Sequence, residues 1–338
     1  MARDLEDSTS RSAEPRRVKA VACVGGVSFE HDIPADEIQD HVREAESIVW
    51  VDVADPGPDE IAFLIDEFGL HPLAFQDGPD GRRRPKVEEF KGFLRIVTYA
   101  AIPGDQSREL RTSEVDMFVG RNFVVAIHQG RVPALEETLA RWTRGGSMLR
   151  EGIGFLAYAA LDAIINSFAP FIGGVEDEID AIEIALLTTS DEEVFRDLLR
   201  LKRELASLRR VLFPMRAVFE VLLRGDQRLF TAGIEVYLRE VLDHVLRLLD
   251  DLDVQRDMAS SALEVSMAIN AKRLNRTMKT LEVITVAVAV VASVYGAYGM
   301  NVEGLPLASS PWGFWVVGFG TIMVVAVALV AGWRLRWW

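Results

Sequence analysis

Two runs of uncharged residues lie near the end of the chain, Val283 to Val302 and Pro311 to Gly332. Each holds about twenty residues, the length at which a helix crosses a hydrocarbon core of about 30 Å. Trp312 and Trp315 stand at one end of the second run, with Trp333, Trp337 and Trp338 at the other, where aromatic belts lie. Ahead of these spans, Ile234 to Tyr295 contains neither Gly nor Pro. That stretch predicts one helix about 93 Å long, a stalk whose last third enters the membrane. Upstream, helical periodicity covers 152–188 and 191–223, and Pro214 is expected to bend or interrupt the second. The first 130 residues read differently. Short β-rich runs at 18–23, 48–53, 93–101, 115–119 and 123–128, with a helix near 58–68, predict an α/β layer domain.

Charge sharpens the division. Of 51 acids all but Glu303 precede residue 283, and of 37 Lys and Arg only Arg334 and Arg336 follow Lys279. The first 282 residues thus hold 50 acids and 35 bases, a net of −15. Such an acidic surface argues against nucleic acid as a partner and suits either solubility or cation binding. Lys272, Arg273, Arg276 and Lys279 precede the first span and Arg334 and Arg336 follow the second, whereas the loop 303–310 has no Lys or Arg. The positive-inside rule then places both termini in the cytoplasm and the loop outside, in a cell inner (plasma) membrane. Met1 to Arg17 is polar, lacks the apolar core of a secretory signal, and reads as a disordered arm.

These patterns divide the chain into an arm (1–17), a cytoplasmic α/β domain (18–150), a helical domain with the stalk (151–282), and a first span (283–302). An external loop (303–310), a second span (311–333) and a basic, aromatic tail (334–338) follow. The fold class is an α+β membrane protein. Cys23 is the sole cysteine, so neither an internal disulfide nor a thiolate cluster forms. The histidines (31, 41, 71, 128, 244) make no pair at metal-binding helical spacing, and no phosphate-binding glycine loop occurs. No constellation points to an enzyme or to a bound cofactor. Two spans cannot enclose a water-filled path, so conduction would require a homo-oligomer sharing one pore.

The first span closes on Tyr298-Gly299-Met300-Asn301. Upstream stand Phe68-Gly69-Leu70-His71-Pro72-Leu73-Ala74, Asp77 and Arg84-Pro85-Lys86-Val87-Glu88, then Glu176-Asp177-Glu178-Ile179-Asp180, and Asn275 through Met278-Lys279. Together, over roughly 45–338, they resemble the CorA family of divalent metal ion transporters. The resemblance implies a funnel-shaped homopentamer whose first spans line the pore, passing Mg²⁺ or Co²⁺ down the membrane potential.

Within that resemblance, five copies of Asn301 would form a neutral ring that binds the hydrated ion through its waters, since magnesium dehydrates reluctantly. Gly299 and Met300 would shape the turn that presents Asn301, and Tyr298 would support it. Gly299 and Asn301 equally suit a plain helix cap. Asn275 matches a pore-lining asparagine, and Met278 and Leu281 match a hydrophobic constriction. The spacing 275, 278, 281, 285 keeps one helix side in view. Asp77 and Glu240 match acids that bind the ion between neighbouring cytoplasmic domains and hold the closed state, and Glu264 matches a stalk acid. Solvated helix acids are the alternative for all three.

The loop departs from the family's Met-Pro-Glu-Leu pattern and reads Val302-Glu303-Gly304-Leu305-Pro306-Leu307, leaving Glu303 as its one acid. This form is similar to the zinc-transporting, ZntB-like branch. Val290 stands where the first span usually carries proline, and Glu282 sits at the inner edge, positioned for the pore or for Lys279. Zinc transport, with or without proton linkage, is therefore the alternative ion reading, and a non-conducting metal sensor the alternative class.

Overall fold

A computed structural model describes residues 18–44, 46–75, 83–104, 110–145, 152–188, 192–224, 230, 232–300, 305–307 and 310–334. By internal contact the chain divides into Met1–Ser260 and Ser261–Trp338. The first unit opens with β1 (Val18–Val24), β2 (Ser28–His31), α1 (Ile38–Arg43), β3 (Ile48–Ala54) and α2 (Pro58–Phe68). After a 3-10 turn at Pro72–Phe75 come β4 (Lys86–Phe90), β5 (Phe93–Pro103), β6 (Leu110–Gly120), β7 (Phe123–His128) and α3 (Pro133–Thr143). The helical part follows as α4 (Ile153–Asn166), α5 (Ala169–Thr188), α6 (Glu192–Leu223) and α7 (Ala232–Gly299), with α8 (Gly313–Arg334) last.

The seven strands form one sheet in the order β2-β1-β3-β7-β6-β5-β4. Only β3 and β7 pair in parallel, Val51 opposite Val125; the other neighbours are antiparallel. On one face Val51, Val53, Phe118 and Val125 pack with Ile38 of α1 and Leu64 and Phe68 of α2. The opposite face meets α4, which lies against β5, β6, β7 and α3. Covered on both faces, β5 is buried from Phe93 to Ala101, and its residues are apolar apart from Arg95 and Thr98 and the hydroxyl of Tyr99.

Local chemistry sets the boundaries. Pro58 supplies a preset φ at the first turn of α2, and the Glu60 carboxylate accepts the Gly57 N–H at 2.8 Å. The helix ends where Gly69 turns left-handed at φ 61°. Strands β2 and β4, outside the sequence expectation, are the two edges of the sheet. Their residues, Ser-Phe-Glu-His and Lys-Val-Glu-Glu-Phe, carry the charge that protects an edge and so lack a strand's apolar run.

Two expectations need correction. The pattern over 152–188 forms two helices, broken at Ser167–Phe168. Pro170 has no N–H to give the Asn166 carbonyl, and the Ser167 hydroxyl, donating to the Ile164 carbonyl at 2.6 Å, also accepts the Ala101 N–H of β5 at 2.9 Å, beyond the reach of β4, which ends opposite Val97. Pro214 does not interrupt α6, which is continuous through it. Leu198, Leu201, Leu205, Leu208, Leu212, Met215, Phe219 and Leu222 are all buried, alternating steps of three and four residues. Burying eight such side chains at about 1.5–3 kcal/mol each outweighs the roughly 3 kcal/mol a helix-interior proline costs.

In its first-unit portion α7 carries the same seam. Ile234, Leu238, Val241, Val245, Leu248, Leu252, Gln255 and Ala259 are buried at heptad spacing. Gln255 donates to the Ile172 carbonyl of α5 at 2.7 Å, and Arg209 of α6 pairs with Asp253 at 2.7 Å. Beyond Ser260 the helix changes character. Met278, Leu281, Ile284, Val286 and Val288 are each more than half exposed.

Candidate ion-conduction site

Three helical stretches are long and apolar enough to cross a membrane: Ile153–Leu186, a window within Gly233–Gly299, and Gly313–Gly332. Burial separates them. The first has 56% of its apolar window inside the protein, against 0% for the second and 11% for the third. The pair α4–α5 is therefore a core element of the first unit, while α7 from Val283 onward and α8 present apolar side chains all round, as a lipid- or partner-facing helix does.

The two threonine hydroxyls of these apolar stretches are satisfied internally. Thr285 donates to the Leu281 carbonyl and Thr321 to the Val317 carbonyl, both at 2.8 Å, so neither presents an unmet donor to hydrocarbon. On α7, Asn275, Met278 and Leu281 are all exposed and share one side with Thr285. Met278 and Leu281 are 68% and 59% exposed, which makes this a large unpartnered apolar surface on a single subunit. Asn275 and Tyr298 lie about 35 Å apart along the axis. One subunit thus strings its candidates along a helix and does not gather them at a point. Glu282 is exposed there, and Glu264 is exposed farther back on the same helix.

At the far end of α7 the Tyr298 hydroxyl donates to the Pro306 carbonyl at 2.9 Å. Gly299 is the last helical residue, and the Met300 N–H reaches back to the Ala297 carbonyl at 3.4 Å, leaving the Met300 side chain 62% exposed. After Leu307, at φ 62°, the Ser310 N–H returns to the Leu307 carbonyl and the Gly313 N–H to the Ser310 carbonyl. A Cβ added at Gly313 would stand 2.0 Å from the Leu307 oxygen, so the Leu307 turn would have to shift to admit one. The Tyr295 and Phe314 rings meet edge-on at 6.5 Å, joining α7 to α8. Asn301 and Glu303 lie outside the described residues, as does Asp77.

Both stems of the segment carrying Asp77 are held by Arg83. Its guanidinium donates to the Phe75 carbonyl at 3.4 Å and to Asp116 at 2.7 Å, and its backbone N–H donates to Glu114 at 3.2 Å. Behind it Arg95, 2% exposed, donates to both Asp116 oxygens and to Glu88 at 2.7–2.9 Å. Burial works against that guanidinium's charge, but the bonds and charges of Asp116 and Glu88 more than offset it and raise its pKa.

Glu240 is exposed on the first-unit portion of α7, and its charge is felt by a neighbour the sequence reading missed. Asp162 has its pKa raised by burial first, with Glu240 adding to the rise, although His244, Asn166 and Arg141 pull the other way. Tyr158 is pushed up to about 12 by burial, then by Asp162 and Glu240. The available signal was plain: Asp162 is the one charged residue in α4, Ile-Gly-Phe-Leu-Ala-Tyr-Ala-Ala-Leu-Asp-Ala-Ile-Ile-Asn. Among the described residues no three His, Cys, Asp or Glu side chains gather as a metal-ligand set.

An α/β unit, one very long helix that ends in an exposed apolar stretch, and a second exposed apolar helix define an integral membrane protein with a large water-facing part. The sequence profile of the CorA-like Mg²⁺ transporter proteins matches residues 45–335, and the chain belongs to that family. Among curated relatives, it is 28% identical over 283 residues to a putative metal ion transporter, YfjQ, of Bacillus subtilis, covering 84% of this chain and 86% of that one. It is 27% identical over 299 residues to the cobalt/magnesium transport protein CorA of Thermotoga maritima, covering 88% and 85%. The complete CorA magnesium transporter structure from Methanocaldococcus jannaschii superposes with a TM-score of 0.79 at 25% identity, over 93% of this chain and 97% of that one. The ZntB cytoplasmic domain from Vibrio parahaemolyticus matches with a TM-score of 0.62 at 9% identity, over 75% and 98%, a likeness of fold alone.

Proposed function

We propose that this chain carries divalent cations, foremost Mg²⁺ and also Co²⁺, through a pore shared by five copies. The family is one of transporters rather than enzymes. The observation that carries the reading is the stripe Asn275–Met278–Leu281–Thr285 on α7. Its four side chains are exposed on the single subunit and uncharged, with Glu282 as the one carboxylate beside them, and they lie on the helix that ends at Tyr298-Gly299. Relatives named as cobalt/magnesium transport proteins align over most of both chains.

Physical chemistry supports the details. A ring of five Asn301 side chains offers neutral oxygens and amides to a hydrated ion, which binds through its waters and leaves without the delay a carboxylate ring would impose. Deeper in, rings of Met278 and Leu281 close the path by excluding water. No chemical fuel is required, because a divalent ion crossing 100 mV gains about 4.6 kcal/mol, twice the single-charge figure. Asp77, Glu240 and Glu264 serve as cytoplasmic ion sites whose occupancy favours the closed state, so ion loss shifts the population toward opening.

The loop residues Val302 to Leu307 favour one second reading, zinc as the cargo. Purified oligomers in liposomes, offered Mg²⁺, Co²⁺ and Zn²⁺ with and without a pH gradient, test both. Mg²⁺ and Co²⁺ uptake driven by an inside-negative potential alone supports the proposal. Uptake of Zn²⁺ alone, accelerated by the pH gradient, replaces it with the second reading, and no flux of any ion sinks both.

A further inference from the structure

Lys272, Arg273, Arg276 and Lys279 fall within eight residues of α7, directly before its uncharged stretch, and all four are exposed. No acid lies between Glu264 and Glu282. None of the four takes part in the ion pairs formed among the described residues, which draw instead on bases such as Arg83, Arg95, Arg200 and Arg209.

Their placement around the helix is not random. At about 100° per residue, Lys279, Lys272, Arg276 and Arg273 fill one arc of about 120°. The stripe Asn275–Met278–Leu281–Thr285 fills another arc, centred about 160° away. Glu264 and Glu282 both fall with that stripe and not with the bases. The helix is therefore sorted into a face bearing amide, thioether and carboxylate groups and a face bearing only positive charge. A positive-inside signal alone needs charges in the segment, not on one side of it.

We infer that this basic face binds the phosphates of anionic phospholipids in the cytoplasmic leaflet. The inference rests on the membrane-spanning reading of α7 given above. Charge complementarity and depth select the occupant. At 1.5 Å per residue, Lys279 and Arg276 stand about 6 and 10 Å before Val283, near headgroup depth, and Arg273 and Lys272 about one turn farther out, within about a Debye length of that charged surface. Arg273 and Arg276 offer forked donors suited to phosphate oxygens, and Lys272 and Lys279 flank them as point charges. Clusters of this size next to a span are attracted to anionic lipid surfaces at about a fivefold change in association per Lys or Arg. Anionic lipid on this face would fix the rotation of α7 about its axis and keep the opposite stripe turned to the pore.

The test uses the full chain reconstituted in phosphatidylcholine vesicles carrying a minority of spin-labelled phosphatidylglycerol or spin-labelled phosphatidylcholine. The expected result is a severalfold larger motionally restricted fraction for phosphatidylglycerol, weakened by salt and lost in K272Q/R273Q/R276Q/K279Q. Each of the pairs R273Q/R276Q and K272Q/K279Q loses part of it, and the charge-preserving R273K/R276K retains most. These partial variants keep the test decisive if the fourfold variant does not assemble. Equal restriction of the two lipids, or a preference that survives the fourfold substitution, overturns the inference. Displacement of the labelled lipid by inorganic phosphate, but not by chloride at equal ionic strength, reassigns the face to a soluble anion and overturns the lipid assignment. A chain that never inserts into vesicles defeats the membrane reading beneath it, whereas insertion without lipid preference defeats this inference alone.

Discussion

Removing the Asp116 carboxylate tests the soluble unit where its structure makes the sharpest demand. Asp116→Ala deletes the acceptor for Arg95, which bonds it through Nε and Nη2 at 2.8 and 2.7 Å, and for Arg83, which bonds it through Nη1 at 2.7 Å. The Arg95 and Asp116 side chains are only 2% and 5% exposed, so water cannot replace the lost partner. Breaking a buried pair while leaving its cation in place costs about 3–5 kcal/mol. Glu88 still holds one edge of Arg95, which puts the expectation near the lower figure. Hydrogen exchange of the full-length protein, followed by mass spectrometry, reads this directly. Amides of β5 and β6 that open through unfolding of the soluble unit should exchange about 10²-fold faster or more. Asp116→Leu combined with Arg95→Met should recover part of the loss, because the buried Arg95 charge goes with its partner, while Arg83 keeps Glu114 and the Phe75 carbonyl and Glu88 is partly exposed. A change below about 1 kcal/mol in the single variant, the range of an exposed ion pair, would refute the claim that this network is buried and mutually dependent.

Other consequences follow from single contacts. The His128 pKa is raised: burial opposes its charge, but the Asp52 carboxylate at 3.1 Å and the Gly130 carbonyl outweigh that. Its contribution is thus fully present below the unfolded value of 6.5 and lost as pH climbs through the higher folded value. Thermal melts should show His128→Gln less stable than the parent at pH near 6, with the gap closing toward pH near 9; a gap independent of pH contradicts this. Gly313→Ala should displace the Leu307 turn, whose carbonyl oxygen would lie 2.0 Å from the new methyl, at a cost of about 1–3 kcal/mol. Proteolysis of the loop should accelerate more in Gly313→Ala than in Tyr298→Phe, which loses one hydrogen bond of about 1 kcal/mol. Placing a carboxylate in the apolar constriction, Met278→Asp or Leu281→Asp, should hydrate it and raise resting ion leak in liposomes; an unchanged leak would place the constriction elsewhere.

How much of this was legible in the sequence varies by element, for physical reasons. The run Phe123-Val-Val-Ala-Ile-His reads as a strand because β-branched residues on a doubly covered sheet leave a continuous apolar signal. Edge strands β2 and β4 left none, since an edge is kept polar. Pro214 misled because propensity is local, whereas the seam from Leu198 to Leu222 is a tertiary fact. The break at Ser167–Phe168 was legible and passed over: Pro170 has no N–H for the Asn166 carbonyl, so a helix through 152–188 had to stop before it. At the candidate site, the motif Tyr298-Gly299-Met300-Asn301 and the stripe from Asn275 were readable from spacing and resemblance. Asp162 was passed over because attention to acids followed the acid-rich segments, and a lone carboxylate in an apolar helix carries more information than one among many.

The central claim is most directly tested by Mg²⁺ flux into liposomes holding purified oligomers, parent beside Asn301→Ala, under an inside-negative potential. The proposal predicts potential-driven Mg²⁺ entry in the parent that falls by an order of magnitude or more, or changes its ion preference, in Asn301→Ala. Parent oligomers that pass no divalent ion, or a variant that passes Mg²⁺ with unchanged rate and preference, would contradict it.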